Sequence, residues 1–467
     1  MFQPVRRRPF AASSRPACCT ALEPRAYLAT DLTYTRTDKF AMFEATAGDP
    51  AYIAVEPAGD GAVRVFSRVD TTFGGDTSRK VILGGRRALV FKLNDADASV
   101  LTVTDCTLAG GLTINTNKSL SLDLSNSTVV RGFSLNQRSG DGSALLRDST
   151  VEGSVAIDLG ADDQEITTDN LTISGRMLLD DLEGNAKVDL TNTSIGGDKS
   201  RIVTGAGRDI VNLVSTRFDR QVNISTGDGA DRLEFDRVRF GKTPNIDDGA
   251  GVDSLVTHIT YDFNRDEQGW AGGFADYNNT DITELDSPVA QEQDNPTNIG
   301  GKGYYMAGTS NGDRLIMYMT RGLARRDGVL ADTAYTVDYT VQYASSAPTN
   351  AINSGGAEGE GVTLKVGASS DVPATSGDNH DLNVDIGDQS TSGASATVLG
   401  DLANGLTDPQ DPSVRPFVKL TKSQIHVFPV TSGSDGSMNL MVAADSGYRG
   451  RTEIIYRRID VTLRATR

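Results

Sequence analysis

A repeat constrains this chain more than anything else in it. Gly205-Ala206-Gly207-Arg208-Asp209-Ile210-Val211, Gly227-Asp228-Gly229-Ala230-Asp231-Arg232-Leu233 and Gly249-Ala250-Gly251-Val252-Asp253-Ser254-Leu255 share one order: glycine, any residue, glycine, any residue, aspartate, any residue, apolar. They begin 22 residues apart. A second marker keeps step with the first. Asp105-Cys106-Thr107-Leu108, Asn126-Ser127-Thr128-Val129, Asp148-Ser149-Thr150-Val151, Asn170-Leu171-Thr172-Ile173, Asn192-Thr193-Ser194-Ile195, Ser215-Thr216-Arg217-Phe218 and Arg237-Val238-Arg239-Phe240 follow one another at intervals of 21 to 23 residues. Apolar residues alternate on both sides of the marker, as at Leu122 and Leu124 before it and Phe133 and Leu135 after it. That is the pattern of half-buried strands. One coil cannot bury such a face alone, whereas stacked coils can, so the period predicts a solenoid.

The expected fold is all-β. A right-handed parallel β-helix of about 22 residues per coil is expected over residues 59–257, capped by residues 30–58, with an antiparallel β-sandwich of jelly-roll type over 258–467. At about 4.8 Å per coil the rod is on the order of 40 Å long. Composition agrees: 49 glycines and only 6 % aromatics suit short strands and tight turns. The net charge of −17 disfavours nucleic acid and anionic membrane, and suits divalent cations or neutral glycans. No apolar run reaches the roughly 18 residues of a membrane span. Three cysteines, two of them adjacent at Cys18 and Cys19, define no disulfide framework, and His258, His380 and His426 lack zinc-ligand spacing.

Residues 1–29 carry Arg6, Arg7, Arg8, Arg15 and Arg25 with no acid before Glu23, which reads as a targeting segment. Within it, Leu22-Glu23-Pro24-Arg25-Ala26-Tyr27-Leu28-Ala29 resembles the LEPR-XLL signature of large exported or surface proteins in one bacterial phylum, with Tyr27 in place of the first paired leucine. The resemblance implies export to the cell surface or beyond.

Coil stacking places three columns of polar residues about 5 Å apart per step. Asp209, Asp231 and Asp253, with Asp228 beside them, form an acidic turn similar to the calcium-binding repeat of RTX proteins. That resemblance implies calcium; a metal-free glycine turn with Arg208 and Arg232 offsetting the charge is the other reading. Asn115, Asn136, Asp158 and Asp180, then Ser225 and Asp247, make the second column, with Asp162, Asp163 and Asp181 close by. Paired carboxylates at Asp158 and Asp180 suit a glycosidase or a calcium ion, and equally a stacked turn ladder. Arg217 and Arg239, near Arg220 and Arg237, form the third column. They could stabilise a uronate carboxylate, or form a solvated face paired with Asp219 and Asp236.

Beyond residue 258 the 22-residue pattern stops and aromatic residues become frequent. The segment Asp262 to Tyr277 looks like the opening strand of galactose-binding and carbohydrate-binding-module jelly rolls, and Glu453 to Leu463 like their closing strand. The region also resembles an uncharacterised β-sandwich of bacterial exported proteins through Trp270–Tyr277, Gly359–Lys365, Asp385–Gln389, Val398–Gly405 and Asp445–Tyr448. Glu360, Asp385, Gln389, Asp401 and Asn404 sit at strand ends and in glycine-rich loops, where ligand groups are usually presented. They are the candidates for binding a sugar or a structural calcium. Trp270, the single tryptophan, is expected in the core. The function expected is a non-catalytic exported rod whose sandwich binds glycan or matrix. The alternatives are a polysaccharide lyase or hydrolase acting on the solenoid surface, and a structural component of the cell envelope.

Overall fold

The computed structural model describes residues 30–45, 50–67, 71–83, 87–181, 183–251, 253–286, 290–291, 300–408 and 415–466. The basic leader and its LEPR-XLL-like stretch lie outside them. The described chain is a parallel β-solenoid of about eight turns followed by antiparallel sheets. Each coil contributes to two sheets. In one coil Ser119–Ser125 and Thr128–Val129 belong to the first, sheet I, and Gly132–Gln137 to the second, sheet II. Register is strict from coil to coil. Leu101, Leu122, Ala144, Ile166, Val188, Val211, Leu233 and Leu255 form one column of buried side chains. Phe91, Ile114, Leu135, Ile157, Leu179, Ile202 and Ile224 face it from sheet II.

The first residue of the second sequence marker is where the chain bends. Asp105, Asn126, Asp148, Asn170, Asn192, Ser215 and Arg237 all adopt left-handed backbone, with φ between 47° and 56°. Asn and Asp tolerate that region better than other residues with a side chain. The bend breaks the ladder locally, and the next residue repairs it from inside. Ser127 Oγ donates to the Ser125 carbonyl at 2.7 Å and accepts the Cys106 N–H at 3.0 Å; Ser149 repeats both bonds one coil on. Buried backbone groups are thereby paired.

The solenoid starts earlier than its sequence suggests. Phe40–Ala45 and Ala51–Pro57, in the segment expected to cap, already pair in parallel with Ala88–Lys92 and Ala98–Thr104. Leu32–Arg36 closes sheet II by antiparallel pairing, and Ala62–Phe66 with Ser78–Ile82 closes sheet I as an antiparallel hairpin. Gly59, Asp60 and Gly61 all have positive φ, which turns the chain back instead of carrying it round a coil.

At the other end Ser254–Asp262 joins two architectures. On one edge it pairs in parallel with Arg232–Asp236, and on the other it pairs antiparallel with Gly450–Thr466, from Val256 opposite Arg464 to Asp262 opposite Arg458. Sheet I thus passes directly into a C-terminal sheet that includes Gly303–Ser310, Ala334–Ser345 and Val418–Thr431. A second antiparallel sheet, Ala271–Ala275, Leu315–Leu323, Met438–Ser446, Val362–Ser369 and Thr397–Asp401, packs against it over Tyr339, Tyr343, Tyr456, Met317 and Val442. Trp270 is in that core, its ring edge-on to Tyr261 and Phe263. The open end of the solenoid is covered by the turn around Arg325–Asp327, from which Leu330 packs onto the solenoid core.

Candidate functional site

The second polar column opens into a groove on the solenoid itself. Along the outer face of sheet II the register aligns Glu44, Lys92, Asn115, Asn136, Asp158 and Asp180 on successive coils, then Val203, Ser225 and Asp247. Alternation forces this placement, since the neighbours Ile114, Leu135 and Ile157 point into the core. The side chains link along the stack. Lys92 pairs with Glu44 at 3.4 Å, Asn136 Nδ2 donates to Asn115 Oδ1 at 2.8 Å, and Asp180 forms an ion pair with Arg201. That carboxylate raises the pKa of the Arg201 guanidinium further above its ordinary value. Over the upper part of the column lies a cavity of about 530 Å³ walled by Glu44, Lys92, Asn94, Asn136, Arg138 and Asp158, with no aromatic side chain. Asp158 and Asp180 are therefore adjacent, as their spacing implies, but only Asp158 reaches this cavity. Asp162 and Asp163 are spent on inter-coil turns, accepting from Gly140 N–H and Asn185 N–H.

The aspartates of the glycine turns face the other way, into the stack. Asp209 is fully buried and Asp231 nearly so. Asp209 Oδ1 accepts the Ala186 N–H at 2.8 Å, Asp231 Oδ1 the Asp209 N–H at 2.9 Å, and Asp253 Oδ1 the Asp231 N–H at 3.0 Å. Asp228 accepts the Ala250 N–H in the same manner. Burial raises the carboxyls of Asp209 and Asp231 above the ordinary range, against the amides that hold them. The glycines are required here for a steric reason. A Cβ on Gly249 would lie 1.6 Å from the Gly227 carbonyl oxygen, and one on Gly251 would lie 1.5 Å from that of Gly229. Arg232 is paired with Glu234 rather than with the acidic turn. Calcium takes six to eight oxygen ligands. Each of these carboxylates already holds a backbone amide, and among the described residues no three Asp, Glu, His or Cys are grouped so as to hold a metal. The turn aspartates are engaged within the fold through Oδ1, while Asp209 Oδ2 and Asp231 Oδ2 have no hydrogen-bond partner among the described residues.

In the sandwich the five candidate groups are scattered and engaged. Glu360 accepts the Asn350 N–H, Asp385 accepts from Gly387 and Ala394, and Gln389 donates to the Gly361 carbonyl. Asp401 pairs with Lys422 at 3.2 Å, and the buried Asn404 accepts the Leu406 N–H at 2.9 Å. The two amides hold the Asp385 carboxyl below its ordinary pKa.

The residue that organises these loops is Lys365, which sequence reading passed over as one polar position in a strand. Its fully buried ammonium donates to the carbonyls of Ile386, Gly387 and Asp388 at 3.0, 3.2 and 2.8 Å, and to Asp445 Oδ2 at 2.9 Å. Three of the five motifs behind the exported-sandwich resemblance meet at this one cation. The segment Leu382 to Ile386 alternates like a strand but is mostly loop, and its last carbonyl, that of Ile386, meets the ammonium.

Arg217 and Arg239 are in register on adjacent coils of sheet I. Arg217 pairs with Asp219, and both arginines face a large cleft where the solenoid meets the sandwich.

Fold and groove together define a β-solenoid protein with a C-terminal antiparallel sandwich and a polar surface groove. No protein-family model and no curated protein matches the chain. Among solved structures it is similar to the enzymatically active domain of tailspike protein 4 of bacteriophage CBA120, at 9% identity and a TM-score of 0.22. The match covers 80% of this chain and 61% of that chain. The chain thus spans less than two thirds of the length of that domain, and no residue is carried from one to the other.

Proposed function

We propose that this is an exported, non-catalytic polysaccharide-binding protein, with the groove over sheet II as its glycan seat. The carrying observation is the registered column Glu44, Lys92, Asn115, Asn136 and Asp158 along a cavity of about 530 Å³. It presents hydrogen-bonding groups at each coil, about 4.8 Å apart, close to the length of one hexose unit, so consecutive sugars meet consecutive coils. Amides and paired charges suit neutral hydroxyls, and the overall charge of −17 disfavours a long polyanion on this face. The acidic-turn aspartates and the sandwich candidates support this choice indirectly, because their polar groups hold the backbone. Export is supported by the resemblance of Leu22–Ala29 to the LEPR-XLL signature.

The glycoside-hydrolase form of the polysaccharide-cleaving alternative needs two carboxyl groups acting as a pair. Asp180 is held by Arg201, which leaves Asp158 without a second free carboxyl beside it in the column. Affinity electrophoresis of the whole protein through a panel of neutral polysaccharides separates the readings. Retardation by at least one polymer, reduced about ten-fold in affinity by Asn115→Ala with Asn136→Ala, is the expected result. No retardation by any polymer sinks the binding reading. Release of reducing ends or unsaturated product, lost in Asp158→Asn, replaces it with the enzymatic one.

A further inference from the structure

The junction between solenoid and sandwich concentrates positive charge in an otherwise acidic protein. A cleft of about 790 Å³ there is lined by Arg217, Arg237, Arg239, Arg265, Arg321 and Arg458, against only two acids, Asp262 and Asp266. Asp262 accepts the Asn264 N–H and Asp266 the Gln268 N–H, and the Asp262 charge also acts on Arg458. Four of the arginines have local partners: Arg217 pairs with Asp219, Arg237 with Asp236 and Arg458 with Asp460, and Arg321 donates to the Gly322 carbonyl. Arg239 and Arg265 are exposed, and no ion pair holds either of them among the described residues. Three arginines come from adjacent solenoid coils and three from the sandwich, so the cluster exists only because Ser254–Asp262 joins the two.

We propose that this cleft binds a carboxylated oligosaccharide, a short stretch of uronate residues, at a site separate from the sheet II groove and independent of that reading. Three features select this ligand. Arg217 and Arg239 repeat at the coil step, about 4.8 Å, so the cleft offers repeated charges instead of one focus, as a run of uronates requires. Guanidinium groups match carboxylates in bidentate geometry, and Ser215 and the side-chain oxygen of Gln268 on the same walls are groups that sugar hydroxyls can meet. The only aromatic lining residue, Tyr261, is buried, so the walls offer no exposed ring for the base stacking that single-stranded nucleic acid uses.

The test is calorimetric titration of the whole protein with an oligogalacturonate and with a neutral oligosaccharide of equal length. Saturable binding of the acidic oligomer alone is expected, weakening as salt is raised. Arg239→Ala with Arg265→Ala is expected to reduce it about ten-fold or more, and an unchanged melting temperature for that variant excludes misfolding as the cause. Failure of the acidic oligomer to bind overturns the proposal, as does binding that the double variant leaves intact. Equal competition by inorganic sulfate or by a single-stranded oligonucleotide also overturns it, since the cleft would then read charge and not a uronate chain.

Discussion

At the scale of single residues, His426 governs an acid response. It lies buried in Val418–Thr431 with Nδ1 at 2.9 Å from the Thr397 hydroxyl, and burial lowers its pKa to about 4. In the unfolded chain the imidazole takes up a proton near pH 6.5. The folded state does so only near pH 4, so stability present at neutral pH is lost as pH falls through that window, by up to about 3 kcal/mol. Asp209, Asp231 and Asp445 act in the opposite sense. Burial raises their carboxyls, so their contribution is lost as pH rises through the folded pKa and recovered on acidification. The readout is therefore a difference. The melting temperature of His426→Gln should fall less than that of the wild type between neutral pH and about pH 4.5, and parallel curves would refute the assignment. Residues of this kind are where sequence reading reaches its limit. The bend column from Asp105 to Arg237 was legible because every coil repeats it, and its left-handed backbone explains why five of its seven members are Asp or Asn. His426 and Lys365 occur once, and nothing periodic marks them.

At the scale of elements, several loops of the sandwich converge on one side chain. The Lys365 ammonium fills a cage of three carbonyl oxygens and one carboxylate, the donor set that a bound cation would otherwise satisfy. Removing one partner of a buried pair leaves the other charge uncompensated, at about 3–5 kcal/mol. Lys365→Met should therefore destabilise the protein by roughly that amount in chemical denaturation. Adding Asp445→Leu should recover part of the loss, because the stranded carboxylate is then gone. If Lys365→Met melts like the wild type, the cage does not hold the loops. The same contrast separates the solenoid columns. Their register followed from the period alone, so the adjacency of Asp158 and Asp180 was readable, as was that of Arg217 and Arg239. What the aspartates hold was not readable: Asp209 and Asp231 share a glycine-rich context with metal-binding repeats, and one oxygen of each closes a backbone amide one coil away.

At the scale of the whole molecule, solenoid and sandwich are one hydrogen-bonded sheet across Ser254–Asp262. The change of pattern near residue 258 marks a change of architecture, and sequence alone could not tell that one strand serves both sides. The arginine cleft was hidden for the same reason, with Arg265, Arg321 and Arg458 remote in sequence from Arg217 and Arg239. Shared pairing should couple the two parts on heating. Calorimetry of the intact protein should give one main transition. Ile259→Pro, at a position opposite Val461 whose N–H faces that strand, should remove a ladder bond and split the transition in two. Two transitions in the unaltered protein would show that the junction carries little coupling.

Thr260 and Asp460, which meet across that junction, are 200 residues apart. The coils need only neighbours within a few tens of residues, so they can assemble while the polypeptide is still being made. The edge at Ser254–Asp262 cannot be sealed until Gly450–Thr466 has emerged. At roughly 5–20 residues per second, that leaves a growing chain with an unpaired parallel edge for about 10–40 s. During that interval an exposed strand is a template for a neighbouring copy, and the order of synthesis, more than final stability, sets when the protein is most prone to aggregate.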